Sequence, residues 1–216
     1  LEGRLHARRG PLHAGGTLGL AGDGALPAAI TSNDDMNLVS REHWLAYDIG
    51  DAFTLRAGRI QIPFGIRIIE HTMLPRQATR TDINDSQQHG VALAFFSGPF
   101  RGEVLGIAGN YQVRPDAYRE RGGSAFVEYT VRQGVTVGFS TLLTHADRDI
   151  DSRVERTRTA NGVFSRYRAT SSLVLLAEAD LLTSSDSQSE QTAETLPVDT
   201  TGFLQADYEV FQGFHG

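Results

Sequence analysis

The chain has no cysteine, and all 20 of its basic residues are arginine, so lysine is absent too. Without thiols there is no disulfide framework and no thiolate metal site, which suits a secreted or envelope protein. Only 2 methionines, 1 tryptophan and 7 prolines occur in 216 residues. No run of about 18 apolar residues exists, so no segment is a candidate transmembrane helix. Basic charge is not in surplus either. The 26 acidic residues outnumber the arginines and leave a net charge of −6, which removes any global case for nucleic acid. There is no initiating methionine and no signal peptide, and the final stretch from Phe211 to Gly216 reads as the start of another strand. The expectation is a piece of a longer chain.

Glycine is plentiful, at 23 residues, and so is period-two alternation. Leu45, Tyr47 and Ile49 alternate with Trp44, Ala46 and Asp48. Val91, Leu93 and Phe95 alternate with Ala92, Ala94 and Phe96; Ala125, Val127, Tyr129 and Val131 with Ser124, Phe126, Glu128 and Thr130. The pattern returns with Val163, Ser165 and Tyr167 against Phe164, Arg166 and Arg168, and with Leu175, Ala177, Ala179 and Leu181 against Leu176, Glu178, Asp180 and Leu182. It closes with Leu204, Ala206 and Tyr208 against Gln205, Asp207 and Glu209. Eleven full strands of about ten residues can be read, with short and long connections in strict alternation. Ten residues cross a bilayer at roughly 45° of tilt. Short turns at one end and long loops at the other describe an outer-membrane barrel. The fold class expected is all-β, an antiparallel transmembrane β-barrel in up-and-down order. It forms one domain over 1–216, incomplete at one or both ends, with 11 to 12 strands visible.

In such a barrel the apolar face meets lipid and the polar face lines a lumen. The pore-lining candidates are Arg56, Arg59, Glu128, Arg166, Arg168, Glu178, Asp180, Asp207 and Glu209. Arg166 and Arg168 lie on the strand before Glu178 and Asp180, which predicts cross-strand pairing between them. Tyr47, Phe95, Tyr129, Tyr167 and Tyr208 sit on apolar faces near short turns and form a candidate aromatic girdle at one membrane interface. A soluble sandwich would gather such rings in mid-strand. The strand from Phe53 changes parity between Ala57 and Ile60, which predicts a bulge near Gly58-Arg59 that returns Ile60 and Ile62 to the lipid side. Pro63 should then end pairing.

The run Gly58-Arg59-Ile60-Gln61-Ile62-Pro63-Phe64-Gly65 resembles the Gly-Arg-x-x-x-Pro-Phe-Gly element of porin-like outer-membrane proteins, including the phosphate-selective type. The resemblance implies a monomeric or trimeric barrel of about sixteen or more strands, with a long loop leaving the wall here and folding inward. The absence of lysine departs from the lysine-rich lumen of a phosphate-selective pore, so phosphate selectivity is not carried over.

The stretch between Pro63 and Gln88 is therefore a candidate constriction or lid. Arg67, Arg76 and Arg80 are expected to face Glu70, Asp82 and Asp85 across an eyelet, with His71 nearby. A catalytic reading finds no recognised spacing: neither a Gly-x-Ser-x-Gly elbow nor a His-Glu-x-x-His is present. The run from His145 to Asp151 lacks the calcium-loop spacing, so no metal and no cofactor are expected. The sequence leads to an outer-membrane channel of a Gram-negative cell, passing small polar or charged solutes. Expected partners are outer-membrane lipid, lipopolysaccharide and the solutes or ions, with a homo-oligomer or larger membrane assembly open and no nucleic acid. Two alternatives stay open: a non-conducting scaffold barrel that sheaths a partner protein, and a soluble β-sandwich binding module.

Overall fold

A computed structural model describes residues 2–22, 36–67, 74–82, 86–113, 115–186, 198–211 and 214–215. The strands are β1 (Glu2–Arg9), β2 (Leu12–Gly22), β3 (Met36–Ile49), β4 (Phe53–Ile60), β5 (Gln88–Ser97) and β6 (Phe100–Gly109). They continue as β7 (Arg121–Arg132), β8 (Val135–Ala146), β9 (Arg156–Arg168), β10 (Leu173–Asp186), β11 (Val198–Phe211) and the two-residue β12 (Phe214–His215). One helical turn, α1 (Leu74–Ala78), lies between β4 and β5. Every strand pairs antiparallel with its neighbours in sequence, giving the order β1 to β12 without a crossover. The sheet is not closed: among the described residues β1 pairs with β2 alone.

Local chemistry explains the rhythm. Four of the short turns carry a glycine with positive φ, namely Gly10, Gly50, Gly98 and Gly134, at 59°, 63°, 57° and 83°. These are left-handed values that L-residues with a Cβ avoid. The long connections all fall at the opposite end, and the alternation read from the sequence holds through β11.

One face of the sheet carries the exposed apolar residues. Leu45 is 61% exposed, Val163 59% and Leu204 87%, and Leu55, Val91, Val104, Val137, Leu143, Leu175 and Leu181 share that face. The other face is buried and mixed: Ala46, Ala92, Leu105, Phe126, Leu142, Ala160, Phe164 and Leu176 lie among Glu103, Ser124, Glu128, Ser140, Glu178 and Asp180. Along β6 the odd residues point inward. Leu105 and Ile107 are buried beside Glu103, while Val104 is exposed opposite Leu93.

The bulge expected near Gly58-Arg59 is absent. β4 keeps an unshifted register against both neighbours, Gly58 opposite Trp44 and Gly90, Arg59 opposite His43 and His89. Ile60 and Ile62 therefore stay on the inner side, where their opposite parity belongs. Pairing ends at Ile60, three residues before Pro63. Ile60, Ile62 and Phe64 pack with Ala92, Leu105, Ile107, Leu142 and Ala160, and with the half-buried Trp44 and Leu182. Burial of each large side chain there stabilises by about 1.5–3 kcal/mol.

This core sits inside a curl rather than between two sheets. Consecutive residues Ile66 and Arg67 are held by Glu178 on β10 and Glu103 on β6. At about 4.8 Å per strand, a flat sheet would separate those strands by about 19 Å. The described residues 61–67 and 74–82, between β4 and β5, thus lie across the inner face of a strongly curved wall.

Candidate functional site: the inner wall and its inserted segment

The inserted segment is tied to the wall through backbone as well as side chains. Ser124 Oγ donates to the Pro63 carbonyl at 2.8 Å and reaches Thr141 O at 3.1 Å. The Ile66 amide donates to Glu178 Oε2 at 2.7 Å. Arg76, on α1, is ion-paired with Glu178 and donates to Phe64 O at 2.9 Å and Thr81 Oγ1 at 3.0 Å. Its guanidinium also lies 5.5 Å from the Phe64 ring centre. Gly65 has φ of 58°, and any Cβ there would strike Arg76 and Glu178. The backbone passes directly under the ion pair, and only glycine fits.

At the end of the long loops the segment is pinned a second time. Arg80 donates to Asp149 at 2.6 Å and to Glu120 at 2.9 Å, and it also pairs with Asp151. Arg158 reaches Glu120 at 2.6 Å and Thr79 O at 3.4 Å, while Arg156 lies 3.6 Å from Asp149. Burial alone would raise the Asp149 carboxyl. The hydrogen bonds from Arg80 and from the Ser152 and Asp151 amides win and hold it well below the usual carboxylate range. Glu120 is likewise pushed up by burial but lowered on balance by Arg158 and Arg80. The Arg80 guanidinium is pushed down by burial yet raised on balance by its three carboxylates.

Towards the short turns the inner wall is lined by two shared carboxylates. Glu103 accepts from Arg56 at 2.5 Å and from Arg67 at 3.3 Å. Glu128 accepts from Arg101 at 2.6 Å and also pairs with Arg166. Arg67 stacks over Phe126 at 4.6 Å. A cavity of about 370 Å³ opens beside them, lined by Thr54, Arg67, Ala94, Arg101, Glu103 and Phe126.

The placements differ from the sequence expectations in specific ways. Arg166 pairs with Glu128 on β7 rather than with Glu178, because the register sets Arg166 opposite Leu176 and Arg168 opposite Val174. Arg168 is exposed at the short-turn end. Glu178 and Asp180 point inward but are buried behind the inserted segment, at 4% and 3% exposure. Arg59 is buried against β3 and donates to Ser40 O and to Gln87 Oε1. Asp207 and Glu209 are half-buried on the inner face of β11. Of the expected eyelet, Arg67, Arg76 and Arg80 reach across to wall and outer-loop carboxylates. Asp82 acts on Arg76 electrostatically. Glu70, His71 and Asp85 lie outside the described residues. Glu103, Arg101, Glu120 and Arg158 escaped sequence reading, and Asp149, within the acidic run from His145 to Asp151, carried no link to Arg80. For Glu103 the signal was the parity of β6, masked by the inward Leu105 and Ile107.

The aromatic residues form a row on the outer face. Tyr47, Tyr129, Tyr167 and Tyr208 are all exposed next to short turns, as are Phe53 and Phe100. Phe100 faces Tyr129 with ring centres 4.9 Å apart. Phe95 is half-buried opposite Phe53, its ring lying over Gly102. No known protein-family model matches the chain, and no curated protein sequence matches it.

Proposed function

We propose that the chain forms the wall of an outer-membrane β-barrel channel for small polar solutes, with a lumen narrowed by the segment from Gln61 to Gln87. The observation that carries this reading is the inverted distribution of polarity: leucine, valine and alanine point outward, and the paired charges point inward. A soluble sandwich would cover Leu45, Val163 and Leu204 with a second sheet. Contiguous exposed apolar surface on this scale belongs to an interface with lipid or protein. No helix among the described residues is long and apolar enough to cross a membrane, so a crossing falls to the strands.

The outward tyrosines and phenylalanines next to the short turns match an interfacial aromatic belt. The inner arginines and carboxylates tolerate that position because they are paired and, in part, line the 370 Å³ cavity. Partners are then outer-membrane lipid and lipopolysaccharide on the outside and solutes or ions within. A second reading, a non-conducting scaffold, draws on the apolar packing of Ile60, Ile62 and Phe64, which fills part of the curl.

Planar-bilayer recording of the refolded protein tests both. Stepwise conductance that rises when residues 67–85 are replaced by a short Gly-Ser turn supports the channel. Silence from both forms refutes conduction and leaves the scaffold. A monomer that stays soluble without detergent refutes the membrane location.

A further inference from the structure

Behind α1 the wall buries two carboxyls against one guanidinium. Glu178 and Asp180 both point into the curl from β10, and both are buried. One guanidinium, Arg76, faces them. It is ion-paired with Glu178, which also accepts from the Ile66 amide, and it acts on Asp180 only at longer range. The other carboxylate acting on Arg76, Asp82, is half-exposed. With both carboxyls ionised, the buried trio carries one net negative charge, on Asp180.

Neither carboxylate oxygen of Asp180 has a hydrogen-bond partner among the described residues. In register, Asp180 lies between Gly162 on β9 and Thr201 on β11, and Gly162 lies next to Ser140 on β8. The Ser140 hydroxyl is fully buried at 0% exposure and has no partner, and the Thr201 hydroxyl has none either. Gly162 opens a gap in this row. A Cβ there would strike Asp180 Oδ1 and lie 3.0 Å from Ser140 Oγ, so the carboxylate and the hydroxyl converge on one spot. Its donors are all oxygen, the ligand set of hard cations.

We propose that this place binds one monovalent hard cation of the sodium class, bridging Asp180 and Ser140 with Thr201 alongside, and that the ion fastens the inserted segment to β10. A buried unpaired carboxylate is strongly disfavoured, and one positive charge cancels it. A divalent ion would overshoot and leave a buried positive charge. The inference does not depend on whether the lumen conducts.

The test measures release of the inserted segment in the refolded full chain in detergent. The readout is tryptic cleavage after Arg80, normalised to hydrolysis of a short arginine peptide. Sodium chloride is exchanged for choline chloride at constant ionic strength. Wild type is expected to be cleaved at least tenfold more slowly at saturating sodium, with a midpoint in the millimolar range. Asp180→Asn, which keeps the side-chain size and removes the charge, is expected to lose the sodium response. Ser140→Ala is expected to raise the sodium midpoint severalfold, and both variants are checked for the folded electrophoretic band. Equal rates in sodium and choline would overturn the proposal. So would a sodium response retained by Asp180→Asn. A rate that follows pH between 5 and 8 and ignores sodium would assign the place to a proton, and would equally overturn it.

Discussion

Removing the Arg76 guanidinium is the most direct perturbation of the inserted segment. Its side chain is 6% exposed and that of Glu178 is 0%, so Arg76→Met strands a carboxylate that has no route to water. Breaking a buried pair from one side costs about 3–5 kcal/mol. The variant also removes the donor to the Phe64 carbonyl, about 1–3 kcal/mol for a group left buried and unsatisfied, while the Thr81 hydroxyl keeps its bond to Thr79. Part of this is recovered as water enters, and we take about 4 kcal/mol as the net loss of docking free energy. At 1.4 kcal/mol per power of ten, the undocked population rises about a thousandfold. Tryptic cleavage after Arg80 reads that population when reclosing is faster than cleavage. The double variant Arg76→Met/Glu178→Gln keeps an acceptor for the Ile66 amide and removes the stranded charge, so it is expected to recover at least half of the loss. Cleavage of Arg76→Met within threefold of the parent, or strict additivity in the double variant, would refute the account.

Other outcomes follow from the same geometry. Val163→Arg, on the outer face of β9, is expected to destabilise by about 2–4 kcal/mol in lipid vesicles if that face meets the bilayer midplane. A change within about 0.5 kcal/mol in urea unfolding would mean it meets water. Asp149 and Glu120 are held below ordinary carboxyl values near 3.8 and 4.5, so the unfolded chain binds more protons. Their stabilisation is complete above about pH 4.5 and is lost as pH falls through the folded values. Acid titration of hydrogen exchange at the Arg80 amide, relative to its intrinsic rate, should show a rise confined to that range and be weakened in Asp149→Asn. Gly65→Ala combines a left-handed φ of 58° with contact against Arg76 and Glu178. It is expected to loosen the segment by about 1–3 kcal/mol while leaving the strand content in circular dichroism unchanged.

The meander could be read in the sequence because each strand repeats the same local physics: alternating polarity, then a glycine that adopts positive φ. The departure of the chain near Pro63 was legible for the same reason, since proline cannot serve a ladder. What stayed hidden depends on curvature. Ile60 and Ile62 have the wrong parity for the outer face, and along a single strand a register shift is the simplest remedy. Only a curved wall with a segment laid across it gives inward isoleucines something apolar to meet. Arg166 was matched to the next strand because linear reasoning favours adjacent partners. On a concave face, inward side chains converge, and Glu128 two strands away is within reach. The pairing of Arg76 with Glu178 has no local signature, since neither residue's neighbours announce the other.

The Ile66–Glu178 hydrogen bond joins residues 112 apart in sequence, whereas each wall ladder joins strands that follow one another. Loop closure over that span is entropically costly until the intervening strands have already brought the ends together. The wall must therefore assemble hairpin by hairpin first, and the segment between β4 and β5 is left waiting until β10 has arrived. The last event of folding is then the closing of the interior, so the chain spends part of its maturation as a wall with an unlatched centre. Substitutions at Arg76 or Glu178 should accordingly leave the rate of wall formation untouched and speed only the escape of the segment.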